Sequence, residues 1–218
     1  MLKKCLIFLL IFIIICFLTK DNESFVINEN FNVNILSSFL NDDEIDKILD
    51  SCNYYSRSKV FSDNGNVLSD SRTSSTCGIG RDSEAFKIIK EKIDKMGFSE
   101  LYIENLQLTK YNKGEMYKCH VDYFNYNKDV ERDAIYKTGQ RLKTIFIYLK
   151  SANLGGGTRF CKINKTFNLN KGDALYWTNC YKEGDTYYYE EKSEHEGLPV
   201  LEGEKIGLNV WLTDKISN

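Results

Sequence analysis

From Leu101 to the C-terminus, short runs rich in Val, Ile, Tyr, Phe and Thr alternate with Gly and Asn turns. β-branched and aromatic residues suit a pleated, half-buried surface, and runs of this length between turn residues read as strands. About seven or eight strands are predicted over this stretch. A single proline, Pro199, occurs in the whole chain, so little interrupts the runs. Periodicity by itself predicts a β sandwich or barrel. The N-terminal part reads differently. Val33-Asn34-Ile35-Leu36 predicts a first strand. Asn41-Asp42-Asp43-Glu44 then opens a helix, because acidic residues at a helix N-terminus cap it and complement its dipole. A second helix is predicted from about Ser83 to Met96, with Phe86, Ile89, Ile93 and Met96 at helical spacing. Between the helices, Ser62 to Gly80 is rich in Ser, Asn, Asp and Gly and reads as a long loop, a common form of active-site lid. Asn125 to Gly139 reads as a solvated, tyrosine-bearing insertion that could serve as a second lid.

The chain has only two histidines. His120 and Asp122 form a His-x-Asp pair in an apparent strand, where alternation puts both on one face. His195 precedes the strand-like run Lys205 to Leu212, and Lys205 lies ten positions beyond it. Two imidazoles and one carboxylate make a facial triad, the usual holder of non-haem Fe(II). A nearby lysine suits a site that must hold an anionic co-substrate. The bland alternative is two ordinary histidines and a surface lysine. Nothing in the chain resembles a nucleophilic triad.

Net charge is −2 with acids and bases interspersed, which gives no pointer to nucleic acid. The apolar share of 42% is enough for a real core. At the N-terminus, Met1-Leu2-Lys3-Lys4 precedes an unbroken apolar run from Cys5 to Leu18. As a helix that run spans about 21 Å, short of a hydrocarbon core of about 30 Å. No small-x-small cleavage site follows it, so residues 1–20 read as an uncleaved signal-anchor, with a cleaved signal peptide and a buried core helix as the alternatives. Residues 21–30 read as a short polar stalk and 31–218 as one domain. The basic residues before the run predict a cytosolic N-terminus and a luminal domain, in the endoplasmic reticulum or its equivalent, or else secretion. Cys52, Cys77, Cys119, Cys161 and Cys180 allow at most two disulfides. Cys119 should point away from the metal and is expected to be a small buried hydrophobe. Asn22-Glu23-Ser24 and Asn164-Lys165-Thr166 are sequons that would fit a secretory route.

Several segments resemble the prolyl 4-hydroxylase family of Fe(II)/2-oxoglutarate dioxygenases, over roughly residues 30 to 214. Leu106 to Tyr117 resembles the family's approach to its His-x-Asp ligands, and Gln140 to Leu149 its central core strand. Gly155-Gly156-Gly157-Thr158-Arg159-Phe160 is similar to its "GG-x-T-x-F" segment and Lys171 to Trp177 to its "KGDAL" turn and strand. Ser193 to Trp211 resembles the last block, with the lysine at the expected offset, and Ser71-Arg72-Thr73-Ser74-Ser75 an upstream segment. The chain departs from the pattern at Leu198-Pro199, where Cys-Pro is common, at Ile206, where Trp is common, and at Cys161, where Pro is usual. None of these removes a ligand.

The resemblance implies an α+β, mainly β fold: a double-stranded β-helix (jelly-roll) core with the N-terminal helices packed on the larger sheet. It implies that His120, Asp122 and His195 bind Fe(II), with 2-oxoglutarate and O2 as co-substrates and ascorbate as reductant. Lys205 would take the far carboxylate of 2-oxoglutarate, with Thr144 or Tyr111 adding a hydroxyl donor. The implied reaction is 4-hydroxylation of a prolyl residue in a peptide, with release of succinate and CO2. Arg141 and Arg159 would flank the mouth, and Tyr123, Tyr176 and Trp177 would offer aromatic faces to a polyproline-type peptide. Competing readings are the same chemistry on peptidyl lysine or a small molecule, and a non-catalytic β-sandwich binding module. The partners expected are a proline-containing peptide and, through the N-terminal segment, a membrane; oligomeric state is left open.

Overall fold

The computed structural model describes residues 31–62 and 65–214. The expected signal-anchor and stalk lie outside the described residues, as does the Asn22 sequon. Among the described residues no helix is long and apolar enough to cross a membrane.

Two sheets dominate. In chain order their strands are β1 (Asn34–Leu36), β2 (Ser56–Arg57), β3 (Ser75–Ile79), β4 (Tyr102–Ile103), β5 (Leu106–Tyr111), β6 (Tyr117–His120), β7 (Arg141–Lys150), β8 (Thr158–Phe160), β9 (Lys165–Phe167), β10 (Ala174–Thr178), β11 (His195–Gly197) and β12 (Lys205–Thr213). The larger sheet runs β1-β10-β7-β12-β5-β3-β2, with β4 also paired to β12. The smaller sheet runs β9-β8-β11-β6. Three short two-stranded pairs complete the β structure: Val60–Ser62 with Gly65–Val67, Leu154–Gly155 with Val200–Glu202, and Cys180–Glu183 with Thr186–Tyr189.

Period-two alternation sorts the core into two layers. On β7, Ile145, Ile147 and Leu149 enter one apolar cluster and Phe146 and Tyr148 another. Phe160 and Phe167 of the smaller sheet join Phe146, Tyr148, Leu175 and Trp177 of the larger one, so this second cluster fills the space between the sheets. β12 is buried along almost its whole length and β7 from Thr144 to Leu149, which explains the near-continuous apolar runs there. The first cluster unites that sheet with two helices, α1 (Asp42–Asp50) through Ile45 and Ile48, and α2 (Glu84–Lys95) through Ala85, Ile89 and Ile93. Asn41 caps α1 in a reciprocal capping box with Glu44, and Ser83 caps α2 through the Phe86 amide. Gly172 turns the chain into β10 with a φ of +90°, beside the Leu40 carbonyl, where a Cβ would collide.

Four expectations need correction. The stretch Ser62 to Gly80 is not a long loop: β3 pairs with both β5 and β2 within it. Its inward residues are Cys77 and Ile79 and the rest are small or polar, so no apolar run announced it. The insertion after Asp122 contains a helix, α3 (Asp129–Thr138), whose one buried residue is Ile135. Cys119 is exposed and bonded to Cys161, while Cys52 is bonded to Cys77. A buried hydrophobic role for Cys119 was the wrong expectation because the outer face of an edge strand has nothing to bury it. The strands after Leu101 are also shorter and more numerous than expected, since hairpin pairs interrupt the two sheets.

Candidate metal centre

β6 and β11 are antiparallel neighbours, and their register sets His120 directly opposite His195. The two rings lie 4.3 Å apart between centroids. β6 ends at His120, and Asp122 sits in the loop just beyond it, so strand alternation accounts for His120 alone. Asp122 still converges: one ligand atom from each of His120, Asp122 and His195 lies within 4.8 Å of the others. Asp122 Oδ2 is 3.9 Å from His195 Nε2.

The hydrogen bonds around this cluster fix its chemistry. His120 Nδ1 meets the Lys118 carbonyl at 2.9 Å and His195 Nδ1 meets the Ser193 carbonyl at 2.9 Å. A carbonyl only accepts, so each Nδ1 carries the proton and each Nε2 keeps its lone pair for a metal. Burial, and then the His195 imidazole, push His120 down to about 3. Burial alone would raise the Asp122 carboxyl, but the two imidazoles and Arg141 more than offset it and hold Asp122 below the usual range. The Trp211 indole lies near enough to favour the charged form as well, at a geometry outside an ordinary hydrogen bond. Two imidazole nitrogens and one carboxylate around a small gap can hold a divalent first-row ion.

The packing behind each ligand is aromatic. Tyr117 stacks on His120 at 3.5 Å and carries the Arg72 guanidinium on its other side, 4.6 Å from the ring centroid. Trp177 meets His195 edge-on at 4.7 Å.

Lys205 opens β12, opposite Tyr111 on β5, and is 2% exposed. Its ammonium sits over the rings of Tyr148 (4.7 Å), Phe146 (4.9 Å) and Tyr111 (5.6 Å). The Thr158 hydroxyl is 3.4 Å away and is itself bonded to the Tyr148 hydroxyl at 2.7 Å. No carboxylate among the described residues shifts it, and burial alone pushes Lys205 down to about 7. Lys205, Tyr111, Thr158 and the three metal-facing residues line one cavity of about 690 Å³. Gly207 leaves room for Phe146 to lie against β12; a Cβ there would strike that ring.

The other expected site residues scatter. Thr144 is not beside Lys205: its hydroxyl donates to Asp122 Oδ2 at 2.7 Å and accepts from Asn179 Nδ2 at 2.8 Å. Arg141 reaches the cavity but is held there in two hydrogen bonds to Glu104, at 2.8 and 2.9 Å, and lies 3.6 Å over Trp211. Arg159 is paired with Glu196 at 2.5 Å and is not on the cavity wall. Trp177 is 1% exposed and belongs to the core between the sheets, so it offers no face to a ligand. Tyr176 points to the opposite face of β10, against Phe98 at 5.5 Å. Strand alternation already separates 176 from 177, and burial decides the outcome for both. Tyr123 does line the cavity and stacks on Tyr189 at 5.2 Å. Sequence reasoning missed Thr158, Asn179 and Arg72. Thr158 stood within a quoted motif, but its role depends on a cross-strand register that no local pattern encodes.

Residues 106–213 match the family model described as the 2OG-Fe(II) oxygenase superfamily. Prolyl 4-hydroxylase subunit alpha-1 of Caenorhabditis elegans is 34% identical over 112 residues, which are 51% of this chain and 19% of that protein. The human protein of the same name is 32% identical over 124 residues, 56% of this chain and 22% of that one. The chain thus spans about a fifth of the length of these curated relatives. A viral collagen prolyl hydroxylase from Paramecium Bursaria Chlorella virus-1, solved with 2OG, superposes with a TM-score of 0.65 at 24% identity, over 86% of this chain and 98% of that one. A prolyl hydroxylase from Trichoplax adhaerens, solved with a hypoxia inducible factor peptide fragment, gives 0.60 at 17% identity, over 84% and 83%. These likenesses establish the fold, which is mainly β and of the jelly-roll kind found in such oxygenases.

Proposed function

We propose that this chain, which belongs to the prolyl 4-hydroxylase-type family of 2OG-Fe(II) oxygenases, is a 2-oxoglutarate-dependent dioxygenase that hydroxylates C4 of a prolyl residue in a peptide. Succinate and CO2 are the accompanying products. One observation carries this reading furthest. A buried lysine with no anionic partner among the described residues shares a cavity with the cluster of two histidines and one aspartate. Burying an unpaired cation is costly, so a bound anion accounts for its presence.

The residues fit the group that the family uses. His120 Nε2, His195 Nε2 and one carboxylate oxygen of Asp122 would hold Fe(II). The far carboxylate of 2-oxoglutarate would lie on Lys205, with Thr158 and Tyr111 beside it. Bound Fe(II) supplies, with 2-oxoglutarate and O2, the oxidising power that inserts oxygen into a C–H bond. The chain's own residues do the rest. The Ser193 and Lys118 carbonyls fix both histidine tautomers. Thr144 orients the carboxylate. The Phe146, Tyr148 and Tyr111 rings keep water away from the Lys205 end, which strengthens its hold on an anion.

The substrate would enter where Phe61, Phe124 and Tyr123 line the cavity. Phe61 and Phe124 come within 5.8 Å of each other from opposite sides, one on a short hairpin and one in the loop after Asp122. Exposed aromatic faces of this kind suit a preformed, low-entropy polyproline II segment. Ascorbate is the reductant in this scheme. The domain would be luminal or secreted, and two disulfides support that placement.

The test is Fe(II)- and ascorbate-dependent succinate formation from 2-oxoglutarate, with a proline-rich peptide and mass detection. Peptide-stimulated succinate and a hydroxylated product, both lost in His120→Ala, are expected. Stimulation by a lysyl peptide or a free small molecule instead would replace the substrate. No iron uptake and no turnover in folded protein would leave a binding module.

A further inference from the structure

The disulfide Cys119–Cys161 has a particular place in the smaller sheet. Cys119 lies on β6 and Cys161 directly follows β8, with β11 running between those two strands. The bond therefore spans the central strand, with Cα atoms 6.4 Å apart. Alternation turns the Cys119 side chain away from that of its neighbour His120.

β6 needs the restraint. It is the last strand of its sheet, and its pairing to β11 is irregular between His195 and Gly197. Its other side is met by the irregular segment Ser71 to Thr73, through Lys118 N to Ser71 O and Thr73 N to Met116 O, both at 2.8 Å. β8, in contrast, pairs with β11 in regular register and with β9 on its other side, and the Cys161 amide donates to the Glu194 carbonyl at 2.8 Å. The disulfide thus ties a weakly paired edge strand to a well-paired one. That edge strand supplies His120, and Asp122 follows two residues later.

We propose that Cys119 and Cys161 are positioning residues of the metal centre. Their bond fixes β6 against β11, and its reduction releases His120 and Asp122 from their place opposite His195. This inference rests on the metal-binding reading above. Cys119 is exposed, so an external dithiol can attack its sulfur. The dithiol gives up two electrons and two protons, forms its own cyclic disulfide, and leaves two cysteine thiols. Cys52–Cys77 ties the chain after α1 to β3 in the core cluster and is the natural control.

The experiment measures Co(II) affinity of the full-length chain by absorption. Four forms are compared: oxidised protein; protein reduced by dithiothreitol in the folded state, alkylated and freed of reductant; the variant Cys119→Ser/Cys161→Ser; and the variant Cys52→Ser/Cys77→Ser. Alkylation matters because free Cys119 and Cys161 thiols would lie close to Glu196 and bind metal themselves. The expected result is Co(II) binding weakened about tenfold or more in the alkylated protein and the Cys119/Cys161 variant, the size of effect that support of a metal ligand commonly has. The Cys52/Cys77 variant should match the oxidised protein. Equal affinity in oxidised and folded, alkylated protein overturns the positioning role and leaves the metal centre standing. No Co(II) binding by the oxidised protein removes the metal centre itself. If the Cys119/Cys161 variant does not fold, the alkylated wild type decides.

Discussion

Thr144, on β7 of the larger sheet, donates a 2.7 Å hydrogen bond to Oδ2 of Asp122 in the loop that follows β6 of the smaller sheet, and Asn179 holds the Thr144 hydroxyl in turn at 2.8 Å. Both Thr144 and Asn179 are fully buried. With its lone pair taken by Asn179, the hydroxyl has its proton free for the carboxylate. Thr144→Val should keep the shape and lose the bond. Metal affinity is expected to fall by roughly 10–100-fold, as for other outer partners of metal ligands. Thr144→Ser should recover most of it. A Co(II) titration of both variants is the check, and an unchanged affinity in the valine variant would remove Thr144 from the site.

Lys205 links the site to pH. Burial pushes it down from 10.5 to about 7, so folding disfavours its charged form. Between those values the unfolded chain binds more protons than the folded one, and stability in the absence of ligand rises with pH. The penalty is fully developed below about pH 7, on the order of 5 kcal/mol. Lys205→Met should abolish this slope and melt higher at neutral pH. It should also raise KM for 2-oxoglutarate about a hundredfold or more, since loss of one partner of a buried ion pair costs about 3–5 kcal/mol. In the wild type, anion binding at about pH 8.5 should take up a proton. Calorimetry in two buffers of different ionisation enthalpy measures that uptake.

Gly207 is where β12 and the Phe146 ring come closest. Gly207→Ala should displace that ring and cost about 1–3 kcal/mol of stability, the range for overpacking. Because Phe146 also faces the Lys205 ammonium, 2-oxoglutarate affinity should fall with it. Denaturant unfolding beside a 2-oxoglutarate titration separates the two effects; a stability loss with unchanged affinity would show that the ring does not shape the anion site.

Arg141 and Glu104 form a two-bond pair at the cavity wall, each more than four-fifths buried at the side chain. Glu104→Gln should destabilise by about 2–3 kcal/mol, somewhat below the range for fully buried pairs. Urea midpoints provide the measurement. A loss of a few tenths only would mean that Arg141 finds water or another acceptor.

Tyr189 stacks on Tyr123, which in turn lines the cavity beyond the metal-facing residues. Tyr189→Ala should raise KM for a proline-rich peptide about five- to tenfold, the effect of roughly 1–1.5 kcal/mol from an aromatic pair. Turnover of 2-oxoglutarate without peptide should not change. Equal effects on both reactions would assign Tyr189 to stability alone.

How much of this was legible in the chain depends on the range over which the signal acts. α1 and α2 were readable because their caps and apolar spacing are local: Asn41 and Ser83 sit at the expected starts. The clustering of His120, Asp122 and His195 rested on rarity, since two histidines leave few combinations. β3 was invisible because a strand flanked by two others needs only Cys77 and Ile79 to face the core. Thr144 was expected on the wrong side because its neighbour is chosen by loop geometry after β6, not by spacing. Trp177 shows a different limit: an aromatic residue next to a motif reads alike whether it packs behind His195 or faces a ligand. Only burial separates the two.

His120 and His195 face each other from strands widely separated along the chain, with α3, β7 to β10 and a hairpin between them. The metal-facing cluster is therefore a property of the closed topology and has no counterpart in any short segment. A metal ion can recognise only a chain in which that closure is complete, so it binds the native state and not the unfolded one. By mass action, each tenfold rise in free metal above Kd should then add about 1.4 kcal/mol to stability. Occupancy of the centre doubles as a gauge of how completely the two distant halves of the sheet have met.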